Sequence, residues 1–156
     1  MNNPVIVPLA WPDEILQLGR LERFMTVGFI SFCPFYRAKK RMAEEMKLRT
    51  VESQALWKSK EVREFAARVS EVIREGLWWP NAYFVPEDRC DVIFYGHGDA
   101  LNGPLVIQDI LKECGIPKRR FSQNEVCNDL NCVMYGEFIE KLMSACETQG
   151  NTQCPR

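Results

Sequence analysis

Residues 90–117, CDVIFYGHGDALNGPLVIQDILKECGIP, leave few folds open to the rest of the chain. Asp91-Val92-Ile93-Phe94-Tyr95 is a short β-branched and aromatic run that stops at Gly96-His97-Gly98-Asp99, the pattern of a buried strand ending in a glycine-rich turn. Pro104 has a fixed φ and no N–H, so it suits the first turn of a helix capped by Asn102 or Gly103. Ile107, Ile110, Leu111 and Cys114 then recur at i, i+3, i+4 and i+7, which places one apolar stripe on one helix face. Gly115 supplies the left-handed stop, Ile116 can fold back onto Leu111, and Pro117 prevents the helix from resuming.

The flanking chain reads mostly as further helices. Pro12-Asp13-Glu14 puts a proline and two acids in a first helical turn, with Leu18, Leu21 and Met25 continuing one face. Residues 26–33, TVGFISFC, fit a strand or the buried middle of a helix equally well. Pro34 opens a helix with Phe35, Ala38, Met42 and Met46 inward; Arg37, Lys39, Lys40, Arg41, Lys47 and Arg49 are expected outward. Thr50 caps a short helical piece reaching Leu56 or Trp57. Ser59 caps a long helix whose buried stripe is Val62, Phe65, Ala66, Val69 and Ile73, with Gly76 expected to end it. Residues 77–88, LWWPNAYFVPED, hold the aromatic centre. Residues 82–85 and 90–95, joined by a turn through Pro86-Glu87-Asp88-Arg89, are expected to form a hairpin. A last helix begins near Asn131 with Phe138, Ile139, Leu142 and Cys146 inward.

These elements predict one α+β domain over residues 1–156: four or five helices and a small antiparallel sheet around 82–95, after an extended lead (1–10) and before a frayed tail (148–156). A chain of 156 residues suffices for one core, since a domain of about 150 residues buries roughly 68–70% of its unfolded surface. A net charge of −1 gives no overall attraction to nucleic acid or anionic lipid, and no window approaches the roughly 20 apolar residues of a membrane span. Seven cysteines without a basic, apolar leader predict reduced thiols and a cytoplasmic setting.

Candidate chemistry is sparse. His97 is the sole histidine, so any imidazole base must be this one, with Asp99 to orient it and Cys90, another cysteine or a carboxylate as partner. Cys90 and His97, at opposite ends of one strand, would stand roughly 20 Å apart. Cysteine spacings contain no C-x-x-C pair, so no metal site and no cofactor are predicted. The turn at 96–98 lacks the glycine-lysine pattern of a phosphate loop. Residues 37–49 carry six basic and two acidic residues, and Lys118-Arg119-Arg120 adds three more, so Arg37, Lys40 and Arg41 are candidates for an anionic partner. Trp78, Trp79 and Tyr83 are candidates for a peptide-binding platform.

The window from Asp99-Ala100-Leu101 to Gly115-Ile116-Pro117 resembles the stretch of acyl carrier proteins where an Asp-Ser-Leu motif opens a helix ending in Gly-Ile. Ala100 stands where the carrier serine would be, so the resemblance implies at most an armless scaffold that binds partners. The sequence therefore favours a non-enzymatic protein-interaction or scaffold domain. Its alternatives are a small hydrolase using His97 and Asp99, and nucleic-acid binding through the 37–49 helix.

Overall fold

Ser59 turns the chain into its longest helix. Its backbone is extended, and its hydroxyl accepts from the Val62 N–H at 3.2 Å, satisfying one of the amides that a helix start leaves open. A computed structural model describes residues 6–16, 34–95, 102–117 and 134–147. Within them the helices are α1 (Asp13–Leu16), α2 (Pro34–Leu48), α3 (Lys60–Leu77), α4 (Cys90–Tyr95), α5 (Asn102–Glu113) and α6 (Tyr135–Glu147), with a 3₁₀ helix at Val51–Leu56 between α2 and α3. The central helix is α3, which packs against α4, α5 and α6. Phe65, Ala66, Val69 and Ile73 are buried along it as their spacing predicts.

Two of the predicted ends form differently. At α5, Gly115 takes φ 68° and the Ile116 N–H reaches back to the Leu111 carbonyl at 2.8 Å, the expected left-handed stop. Gly76 does not end α3: the helix runs to Leu77, and Trp78 takes the left-handed position at φ 58°, the residue 68% exposed. Gly76 serves close packing instead. A Cβ there would collide with Cγ2 of the buried Val106 on α5.

The predicted sheet is absent. Among the described residues there is no strand, and the single β-type pairing is an isolated antiparallel bridge between Arg89 and Met134. Residues 81–85 form no regular element, and side chains satisfy much of their backbone where a strand ladder would. Tyr83 O accepts from Arg49 at 3.2 Å, Phe84 O from Gln54 Nε2 at 3.2 Å, and the Val85 N–H is taken by Asp88 Oδ2 at 2.8 Å. The expected hairpin partner, α4, coils. Arg89 and Asp91 form a bidentate pair at 2.9 Å over its first turn, and Asp91 places negative charge at the positive helix end. At the other end the Trp79 indole N–H donates to the Ile93 carbonyl at 3.0 Å, covering a group that six residues of helix leave open. Val92, Ile93 and Phe94 are fully buried in succession, so this helix is enclosed on nearly all sides. That explains the misreading: a short, uniformly apolar run carries no periodicity, and its β-branched preference yields to tertiary context.

Rings join residues 79–84 to the helices. Trp79 meets Phe84 edge-on at 5.6 Å between centroids, Phe84 meets Tyr135 at 5.7 Å, and Tyr135 meets Trp57 at 5.7 Å. Buried Tyr135 shares a 2.8 Å hydrogen bond with Ser70 Oγ, which fixes α6 against α3. The leucines and Met25 expected to prolong α1, and residues 26–33, lie outside the described residues.

Replacing a helical glycine by alanine ordinarily stabilises a helix by about 1 kcal/mol. Here overpacking against Val106 costs about 1–3 kcal/mol and outweighs that gain. Gly76→Ala is therefore expected to lower the denaturant midpoint, and the same change in a Val106→Ala background to raise it; equal effects in both backgrounds would show that the two helices are not in this contact.

Candidate functional site

Pro86 is the second residue of a turn closed by the Asp88 N–H on the Val85 carbonyl at 3.0 Å. The turn caps α6. Asp88 O accepts from the Tyr135 N–H at 2.7 Å and Pro86 O from the Gly136 N–H at 2.9 Å, so two open amides of the helix start are satisfied by turn carbonyls. Gly136 permits this approach, since a Cβ there would sit 3.0 Å from the Pro86 Cβ and 3.3 Å from its carbonyl oxygen.

Below the turn lies Asp88, fully buried. Its carboxylate takes Arg49 in a two-pronged pair, Nη1 to Oδ2 at 2.6 Å and Nη2 to Oδ1 at 2.7 Å. The same oxygens accept from the Leu9 and Val85 N–H groups at 2.7 and 2.8 Å, while Arg49 also donates to the Val7 carbonyl at 2.9 Å. Arg49, expected outward, is thus a buried structural residue.

Beside this turn a cleft of about 220 Å³ opens between Trp57 and the start of α6. Trp57, Val62, Pro86 and Met134 give it an apolar lining, and Met134 is 41% exposed. Lys58, Glu87, Glu137 and Glu140 supply its charges. Lys58 pairs with Glu140 at 3.2 Å; neither Glu87 nor Glu137 has an ion-pair partner among the described residues. The Trp57 indole N–H is buried and has no acceptor among the described residues.

The residues singled out from the sequence are dispersed. Trp79 and Trp78 part at the end of α3: Trp79 turns inward as a core residue with its N–H engaged, and Trp78 faces solvent. Tyr83 is half-buried and its carbonyl accepts from Arg49; with Trp79 buried and Trp78 exposed, the three do not form one exposed platform. On α2, Arg37, Lys40 and Arg41 are exposed, Arg41 beside Glu45 at 3.5 Å and Lys47 on Glu44 at 2.8 Å. Lys47 holds the Glu44 carboxyl below its ordinary value by hydrogen bond and by charge. With Arg49 withdrawn into the core, the basic face is smaller and partly offset by acids. His97 and Asp99 lie outside the described residues, as does the 118–120 cluster.

Cys90 can be placed. It is wholly buried, and burial pushes its thiol far above the ordinary value, with the charges of Asp91, Asp88 and Glu137 acting in the same direction. A thiol so held stays protonated and is a poor nucleophile. Cys114 and Cys146 are half-buried thiols; the Cys146 thiol donates to the Cys114 carbonyl at 3.6 Å and ties the end of α5 to α6. Among the described residues no cluster of His, Cys, Asp and Glu could hold a metal, and no helix is long and apolar enough to cross a membrane. No protein-family model, curated protein or solved structure matches the chain.

The raised Cys90 value sets a sign. An acid kept protonated by the fold ionises first in the unfolded chain, so its contribution is complete below the unfolded thiol value and declines above it. Stability is expected to fall above about pH 8.5 with a slope approaching 1.4 kcal/mol per pH unit from this residue. Burial likewise raises the Tyr135 hydroxyl, adding a second decline above about pH 10. Urea unfolding of Cys90→Ala between pH 8.5 and 10 is expected to show the flatter dependence, and parallel curves for the two proteins would contradict the assignment.

Proposed function

We propose that this chain is a protein-interaction module, and that it receives a partner segment in the cleft between Trp57 and the first turn of α6. What supports the reading is the cleft itself: an apolar lining with a half-exposed methionine, held on three hydrogen-bonded supports. Those supports are the 3₁₀ helix, the Val85–Asp88 turn and the α6 start. At about 220 Å³ it falls below the roughly 300–1,000 Å³ typical of small-molecule and cofactor pockets, and suits one or two side chains of a docking segment. Met134 at its mouth is an adaptable contact, an unbranched thioether able to fit partners of differing shape.

Selection of a displayed random-peptide library on the immobilised protein tests this. Peptides are expected to be enriched on the native protein, to move the Gly136, Glu137 and Glu140 amide resonances, and to lose at least tenfold in affinity on Met134→Asp, whose amide spectrum otherwise stays native. Peptides that bind Met134→Asp equally well, or no enrichment at all, would contradict the cleft as the docking site.

A further inference from the structure

We infer that the cleft selects a partner segment carrying lysine or arginine, whose aliphatic stem lies on the apolar lining while its cationic head meets the rim. The inference rests on the docking reading above and specifies the chemistry of the occupant. Its first ground is charge. Four charged side chains border the cleft, three of them acidic; Lys58 answers Glu140, and Glu87 and Glu137 stand in no ion pair among the described residues. The rim is therefore net negative and repels phosphate-bearing partners, anionic lipid and nucleic acid alike.

The second ground is the lining. A bare cation would seek converging carboxylates, and among the described residues no such cluster exists. Trp57, Val62, Pro86 and Met134 instead offer apolar surface beneath the charges. A long basic side chain has this division, an apolar stem and a charged end. Together these favour a basic side chain over a metal ion or a purely apolar segment.

The sequences recovered in the library selection are expected to share lysine or arginine at one or two fixed positions. Replacing that residue by norleucine keeps the stem and removes the charge, and should weaken binding about tenfold at low salt, with the difference shrinking as salt is added. The Glu87→Gln/Glu137→Gln protein, which alters exposed side chains without removing any described hydrogen bond, should bind the lysine peptide roughly three- to tenfold more weakly and the norleucine peptide unchanged. Recovered peptides that lack a basic consensus yet are displaced by Met134→Asp, or norleucine peptides that bind as tightly as lysine ones, would overturn the cationic specificity and leave the docking cleft standing. Peptides indifferent to Met134→Asp would overturn both.

Discussion

Two charges taken wholly out of water, Asp88 and Arg49, hold together segments that are far apart in sequence. Removing such charges from solvent costs several kcal/mol per ion, and a buried pair is often no better than well-packed apolar residues. Here the surroundings change that balance. The carboxylate accepts four hydrogen bonds, two from the guanidinium and two from the Leu9 and Val85 amides, and the guanidinium also serves the carbonyls of Val7 and Tyr83. Apolar replacements would leave the Leu9 and Val85 amides without partners in the interior, each costing about 1–3 kcal/mol, and would also strip the part-buried Val7 and Tyr83 carbonyls of their donor. The pair thus does for an irregular junction what a sheet ladder does for strands.

From that junction the arrangement of the candidate site follows. The Asp88 backbone, held by its own side chain, offers its carbonyl to the Tyr135 amide, and Pro86 offers its carbonyl to Gly136. These bonds set where α6 begins and bring Glu137 to the cleft that Glu87 also lines. Tyr135 carries the constraint inward, meeting Phe84 and Trp57 edge-on and bonding Ser70 on α3. The cleft lies on the far side of this aromatic contact, so its shape depends on the core.

Sequence signals that are local and redundant were readable. Ser59, the stripe from Phe65 to Ile73, and the Gly115-Ile116-Pro117 end each combine a cap with a period, and each forms as expected. Residues 90–95 had neither cap nor period: their helix depends on Trp79 and on burial all round, which no window of six residues contains. Arg49 had a signal that its charge concealed. It continues the buried stripe of Ala38, Met42 and Met46 at the next helical step, so position favoured burial where residue type favoured solvent. Its partner is 39 residues away, and nothing local announces such a pairing. The cleft was illegible for the same reason. Trp57, Pro86 and Met134 meet only once the chain is folded, and the tryptophans that drew attention instead, Trp78 and Trp79, share an end of α3 but not a surface.

Amide hydrogen exchange on Asp88→Asn tests the role of the junction most directly. If the buried carboxylate organises it, protection falls together at Leu9, Val85, Arg89 and Tyr135, including the two amides that do not touch the altered side chain, and global stability drops by about 3–5 kcal/mol. Loss of protection confined to Leu9 and Val85, with Tyr135 and Arg89 as slow as before and global stability within about 1 kcal/mol, would contradict it.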